Sequence, residues 1–526
     1  MVENKGRDRV KIGLSKTDKL FVAYILLFFT AMAAVASQNQ FLPDEGTHLL
    51  LSLFYKDLIT HTVSSGDFSF AGIYGYAINY LVHYPKLQIA YPPLYHLTNA
   101  LFFSIFGPSL LLGRLVNLAY AVMAFTAFYF LAKRHFGERS AFISALLLSL
   151  SPFSLLQANM ASLDYSFLSF FVMSLYLFSK AMEAKRPLFF ALCGLATGLA
   201  FLGRQFGAFL LVFYPAIILM EKGDNKTKAK NFLVTAVMFA LIAVPYLAIL
   251  TASGGLDVNA TVAKLYADVR GQPASYLDPM FWLYYLVFTP TGSPFSLALL
   301  AGLAYYAWKK QRLSKELLAF FLVMYVCISL VPTKELRFSE AFMLPAYATA
   351  GILLSRMKSR FLPALFVAAF FVVSAAMLFP QADAIFMKPY PVQEIADGMV
   401  PNMPAGSNIA MLSDDGPLFS SVLMWQVRLA DKNMEHSVYR PCAFDNMSAT
   451  QIEDSFKEGG VYYAVYSDPS SAKNAHHFID LIRNELEPAF NITSDGATTF
   501  VYKYKNFTPQ TKNCNYVCLT AEQICS

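Results

Sequence analysis

Apolar residues run along this chain in long blocks separated by short charged turns, a pattern that predicts membrane-crossing helices. The blocks fall at about 20–37, 109–132, 141–157, 161–179, 187–203, 206–220, 232–251, 280–307, 317–332, 340–355 and 361–379, eleven in all. Several are short for a hydrocarbon core of about 30 Å. Those at 141–157, 187–203 and 206–220 suggest tilted or broken helices packed inside protein. Between the first two blocks lies a polar, aromatic, proline-broken loop, 38–108, in which interfacial helices are expected. From about Gln381 the long apolar runs stop. There the chain reads as strand (SNIAML), turn (SDDG), amphipathic helix (PLFSSVLMWQVRLADK), strand (VYYAVYS), helix (AKNAHHFIDLIRNELE) and strand (TTFVYKYK). The predicted fold class is a polytopic α-helical membrane protein, domain 1–380, followed by a small α/β domain over 381–526.

Charge gives this arrangement a direction. With the N-terminus on the cytoplasmic side, Lys5, Arg7, Arg9, Lys11, Lys16 and Lys19 face inward. So do the turns KRHFGER, KAMEAKR, EKGDNKTKAK, WKKQRLSK and SRMKSR, as the positive-inside rule requires. The opposite loops hold few cations, and an odd number of spans places the C-terminal domain on the extracytoplasmic side. The basic N-terminus resembles that of a signal peptide, but no A-x-A-like cleavage site follows it cleanly and more spans come after it, so an uncleaved first helix is expected.

Composition agrees: 56% of the residues are hydrophobic and 14% charged, against about 25% charged in soluble domains. The net charge of +6 reflects these basic turns and does not point to nucleic acid. Of six cysteines, Cys193 and Cys327 lie within spans as packing residues. Cys442, Cys514, Cys518 and Cys525 lie in the tail and are disulfide candidates on an oxidising side, with three pairings open. A zinc site is the lesser alternative, because no histidine falls at ligand spacing among them. The sequons at Asn259, Asn446, Asn491 and Asn506 are all expected outside.

Candidate chemistry gathers on that outer side. Asp44 and Glu45 follow the first span within FLPDEGTHLL, with His48 beside them. Lys86, Tyr91, His96 and Arg114 come next. Asp164 opens the fourth span, Arg204 lies between the fifth and sixth, and Lys334, Glu335, Arg337 and Glu340 lie between the ninth and tenth. Ionised side chains near a bilayer cost free energy, so they face a cavity or each other. Cations would hold a phosphate, and a partly desolvated acid would serve as general base. The bland alternatives are a helix cap for Asp44, Glu45 or Asp164, a structural ion pair for Arg114, rim charges at Lys334 and Arg337, and interfacial roles for the histidines and for Tyr84, Tyr91 and Tyr95.

The ordered set PDEGTHL, YPPLYHL, GPSLLLGRLVNLAYAV, ASLDYSFLSFF, GRQFG and ELRFSEAFMLPAY resembles the GT-C type membrane glycosyltransferases. Among these it is similar to the dolichyl-phosphate-mannose protein mannosyltransferases and the lipid A aminoarabinose transferases. The resemblance covers about residues 18–380. It implies that Asp44 is base or substrate organiser with Glu45 beside it, that Asp164 is the acid opening the fourth span, and that Arg204 binds the lipid phosphate. Arg337 matches the arginine before the tenth span. Tyr91 stands where the aminoarabinose transferases often carry a lysine before Pro-Pro, and Lys86 is the candidate substitute. The WWDYG motif of oligosaccharyltransferases is absent, which disfavours transfer of a preassembled glycan to asparagine.

The expected activity is inverting transfer of a monosaccharide from a polyprenyl (dolichyl or undecaprenyl) phosphate to a hydroxyl of a protein, lipid or glycan acceptor. Lys86, Tyr91, Arg114, Asp164, Arg204, Lys334 and Arg337 would bind substrate. Asp44 and Glu45 would hold Mg²⁺ or Mn²⁺ if a metal is used. The alternative is a transporter or flippase for a lipid-linked anion, against which stand the absence of an internal repeat and the clustering of polar residues at one face.

Overall fold

A computed structural model describes residues 14–37, 43–84, 87, 91–220, 224–252, 277–292, 295–308, 312–331, 334–359, 361–378, 391–412, 420–439, 450, 454, 456–457, 460–468, 482–494 and 497–507. The helices are α1 (Lys16–Ala36), α2 (Pro43–Ser65), α3 (Phe70–His83), α4 (Leu94–Phe106), α5 (Leu110–Phe136), α6 (Glu138–Ser149), α7 (Pro152–Gln157), α8 (Asp164–Ala184), α9 (Pro187–Gly203), α10 (Leu210–Met220), α11 (Asn225–Ala252), α12 (Pro279–Gly292), α13 (Phe295–Trp308), α14 (Arg312–Ser329), α15 (Ser339–Ser355), α16 (Phe361–Leu378), α17 (Val392–Met399) and α18 (Ser420–Ala430). Four described helices are long and apolar enough to cross a membrane: Lys16–Ala36, Leu110–Phe136, Asp164–Ala184 and Asn225–Thr251. The chain is an integral membrane protein built mostly of helix.

Two apolar blocks are not single helices. The block at 141–157 breaks after α6, and Ser151 caps the short α7 by accepting from Ser154 N at 3.1 Å. The block at 280–307 is two helices: α12 ends inside the uncharged TPTGSP stretch, at Gly292, and α13 starts at Phe295. Hydropathy alone does not see such breaks, because serine and proline disfavour a continuing helix without adding charge.

α1 starts on a capping box formed by Ser15 and Asp18. Lys133 and the Tyr129 hydroxyl of α5 then bind Asp18, each at 2.6 Å, which ties the first helix to the bundle. Around α5, α8 and α9 the core is rich in aromatic rings, including Phe125, Phe128, Phe171 and Phe320.

The C-terminal part forms a five-stranded sheet in the order β2-β1-β3-β5-β4. Its strands are β1 (Asn408–Met411), β2 (Ser437–Tyr439), β3 (Val461–Asp468), β4 (Leu486–Ser494) and β5 (Ala497–Tyr504). β1 runs parallel to β2 and β3, whereas β5 is antiparallel to β3 and β4. Side chains alternate across it. Ile409, Met411, Tyr463, Val465 and Val501 join a core shared with α2, α3, α17 and α18, while Ala410, Ala464, Tyr466 and Tyr504 face the other way. The expected tail helix AKNAHHFIDLIRNELE is corrected at its end, where Leu486 and Glu487 begin β4, pairing with Tyr504 and Lys503. The rest of that expectation, through 481, lies outside the described residues, as do Cys442, Cys514, Cys518 and Cys525.

Candidate active site

α2 opens immediately before Asp44 and Glu45, where carboxylates suit the positive end of a helix. Successive residues on a helix point about 100° apart, so the two acids face different surroundings. Glu45 stands one turn before Leu49, and both turn into the protein, fully buried. There Arg114 of α5 clamps it: Nε donates to Oε1 at 2.7 Å and Nη2 to Oε2 at 2.6 Å. The Ala161 amide adds a third bond to Oε1, at 2.7 Å, and Arg114 Nη1 reaches the Ala36 carbonyl at 2.8 Å. This pair joins the end of α1, the start of α2, α5 and the approach to α8.

Asp44 instead projects to an open side, 57% exposed. Both terminal nitrogens of Arg337 stand 3.5 Å from its Oδ2. Arg337 comes from a 3-10 turn, Leu336–Phe338, just before α15. It also stands 3.5 Å from Asp164 Oδ2 and pairs with Glu335. Burial alone would make Arg337 easier to deprotonate, but Asp164, Glu335 and Asp44 outweigh that and push its pKa upward.

Asp164 begins α8, and Arg204 follows the end of α9. Gly203 brings them together. A Cβ there would lie 2.6 Å from the Phe167 backbone nitrogen, so only glycine lets the two helix ends press this close. Arg204 Nη2 meets Asp164 Oδ1 at 2.8 Å, and its guanidinium rests on the Phe338 ring at 4.5 Å. Burial lowers the Arg204 pKa, Asp164 opposes the shift, and Arg337 adds to it. The Arg204 Nε is buried without a hydrogen-bond partner among the described residues. Asp164, Arg204, Arg337 and Phe338 enclose a hollow of about 20 Å³, the size of a water site. A larger apolar cavity of about 360 Å³, among Phe128, Phe213 and Phe320, contains none of the predicted site residues.

Of the predicted set, Asp44, Asp164, Arg204 and Arg337 therefore come together. Tyr91 stands beside them, and burial, with the Asp44 charge, pushes its phenol up to about 12. Glu45 and Arg114 sit apart, saturated by each other. Glu45 is not placed as a second catalytic acid, Arg114 is not placed as a substrate ligand, and Asp44 and Glu45 do not converge on one metal position. Among the described residues no group of three His, Cys, Asp or Glu side chains gathers as a metal site. Lys334 also turns aside, bonding the Ser329 carbonyl and lying 3.6 Å from the Phe281 ring centre. Lys86 lies outside the described residues.

Two partners were not assigned roles from sequence. Phe338 is the apolar seat of Arg204, and its position after Arg337 in ELRF was the available signal. Glu340 is buried and accepts from Ser151 and Ser154 at 2.8 and 2.9 Å, which pins the break before α7 against α15.

Residues 90–249 match the family described as dolichyl-phosphate-mannose-protein mannosyltransferase. A protein of Aquifex aeolicus (strain VF5), described as uncharacterized, is 26% identical over 309 residues, which is 57% of this chain and 57% of that relative. In fold the chain resembles ArnT from Cupriavidus metallidurans, with TM-scores of 0.62 for the apo state and 0.61 for the form bound to undecaprenyl phosphate. Both comparisons are at 14% identity and cover 94% of this chain and 99% of that chain. The archaeal oligosaccharyltransferase AglB from Archaeoglobus fulgidus, in complex with an inhibitory peptide and a dolichol-phosphate, gives 0.54 at 14% identity, over 94% of this chain and 75% of that one. At such identity the likeness is one of fold, and at that level the resemblance to the GT-C type glycosyltransferases holds.

Proposed function

We propose that this chain, which shares the fold of the GT-C type membrane glycosyltransferases, moves a monosaccharide from a polyprenyl phosphate to an acceptor hydroxyl with inversion at the anomeric carbon. The observation that carries the reading is the pair Arg204 and Arg337 on Asp164, with a buried Nε on Arg204 that has no partner among the described residues and an open carboxylate, Asp44, at the edge. A buried N–H without a partner is unfavourable, and a phosphate oxygen would satisfy it.

In this reading Arg204 and Arg337 hold the donor phosphate and neutralise it as it leaves. Asp164 fixes the two guanidiniums. Asp44 takes the proton of the acceptor hydroxyl, whose oxygen attacks the anomeric carbon as the bond to phosphate breaks. Glu45 and Arg114 hold the start of α2 where Asp44 needs it. The site faces the extracytoplasmic side, with the N-terminus cytoplasmic, eleven spans, and the sheet-bearing part forming an outer α/β domain. That domain is the surface a protein, lipid or glycan acceptor would meet first. Basic turns on the opposite face support this orientation.

The test is transfer of labelled sugar from polyprenyl-phosphate monosaccharides to membrane acceptors by the full-length protein in lipid nanodiscs. Transfer that is lost with Asp44→Asn and weakened with Arg204→Lys supports the assignment. Movement of the lipid across vesicles without covalent transfer replaces it with a flippase, and full activity of Asp44→Asn removes the base.

A further inference from the structure

His48 lies one turn beyond Asp44 on α2, so the two share a helix face. It is 4% exposed, and His96 of α4 is fully buried beside it. Their hydrogen bonds determine which nitrogen carries each proton. The Pro92 carbonyl can only accept, so His96 Nδ1, 3.1 Å away, carries a hydrogen. A neutral His96 then presents a bare Nε2. That atom stands 3.1 Å from His48 Nδ1, which must be the donor. The remaining nitrogen, His48 Nε2, is therefore a bare acceptor, and no hydrogen bond reaches it among the described residues. The reverse wiring would need a charged, fully buried His96. Burial, then the charges of Arg337 and Arg204, press the His48 pKa down to about 3, so the ring stays neutral. The Tyr91 ring, at the edge of the same site, is 5.1 Å from His48.

A neutral, weakly basic nitrogen accepts a hydrogen bond without keeping the proton. The attacking hydroxyl has a single hydrogen, which goes to Asp44. His48 Nε2 is thus available to a second hydroxyl close to the reacting centre. We propose that His48 Nε2 reads a sugar hydroxyl adjacent to the site of transfer, and that His96 and the Pro92 carbonyl are the positioning groups that keep this nitrogen bare. The inference rests on the glycosyl-transfer reading above, and the hydroxyl belongs either to the donor sugar or to a sugar acceptor.

The experiment uses full-length protein in nanodiscs, with undecaprenyl phosphate and a panel of undecaprenyl-phosphate monosaccharides as probes. His48→Leu is expected to bind undecaprenyl phosphate as wild type does, but to lose about tenfold or more in binding or transfer of the preferred sugar lipid. His48→Gln, whose side-chain oxygen replaces Nε2, recovers most of that loss. His96→Gln keeps an acceptor for His48 Nδ1 and remains active, whereas His96→Leu behaves like His48→Leu. A loss in donor affinity assigns the hydroxyl to the donor; a loss confined to acceptor KM assigns it to the acceptor. Equal loss in His48→Leu and His48→Gln, or wild-type behaviour in His48→Leu, overturns the proposal. Independently of activity, ¹⁵N-histidine NMR is expected to show His48 neutral and protonated at Nδ1, its signal identified by its disappearance in His48→Gln; an Nε2-protonated or charged ring overturns the wiring. A wild-type protein that binds none of these lipids refutes glycosyl transfer instead, with the NMR tautomer still deciding the wiring.

Discussion

Asp44 and Glu45 share the first turn of α2, yet their carboxylates occupy opposite kinds of surroundings. Around Glu45 the bonds from Arg114 and from the Ala161 amide are short, at 2.6 to 2.7 Å, and the pair with Arg114 is closed to solvent. Around Asp44 the contacts with Arg337 are long, at 3.5 Å, and the neighbouring Arg204 keeps a buried nitrogen unsatisfied among the described residues. A saturated ion pair leaves nothing for a ligand, so it holds structure in place. A stretched and incomplete cluster has capacity left over, which is what a binding site needs. Local sequence treats the two acids alike, and only the contacts around them separate the roles.

The widest gap between the clusters should come from cutting one partner of the closed pair. Arg114→Leu leaves Glu45 buried and uncompensated, with an expected loss of about 3–5 kcal/mol of stability. Thermal unfolding in nanodiscs reads this, and the double variant Arg114→Leu with Glu45→Met is expected to recover much of it. At the open cluster the balance reverses: Asp44→Asn should unfold as wild type does while transfer falls about 10²–10⁴-fold. Next comes Arg204→Lys, which keeps the charge but loses the planar fork. Undecaprenyl phosphate binding should weaken roughly 10–100-fold, read by titration. The smallest effect is expected at Gly46, which links the clusters to the C-terminal part. A Cβ there would stand 2.7 Å from backbone atoms of Ser421 and Val422 on α18. Gly46→Ala should cost about 1–3 kcal/mol in stability, read by thermal unfolding, with transfer by the folded protein changed less than in Arg204→Lys. Retained stability in Arg114→Leu, or lost folding in Asp44→Asn, would dissolve the distinction.

The docking of α18 on α2 extends the comparison. Arg428 of α18 pairs with Asp57 of α2 at 2.6 Å, and the Tyr80 hydroxyl of α3 donates to the same carboxylate at 3.2 Å. Neither residue stood out in the sequence, because an isolated arginine in an amphipathic helix looks like a solvated charge. Its partner lies 371 positions away.

The ordered motifs carried the resemblance in fold type, while hydropathy and charge were enough to mark the apolar helices and a set of outer ionisable residues, four of which meet at one site. Those features depend on composition over a window, on helix period, and on the free energy of placing charges near lipid, all of which are local. Tertiary structure decided the rest. The rotation of α2 is set by Leu49 and Leu53 packing into the cluster with Tyr95, Val116 and Trp425, which carries Glu45 inward and leaves Asp44 outside. Leu486 and Glu487 read as helix but became strand because β5 supplied a ladder partner. The contact of Arg204 with Asp164 depended on a glycine where two helix ends nearly touch. In each case the deciding neighbour is remote in the chain, so its energy is invisible to any reading that moves along the chain one window at a time.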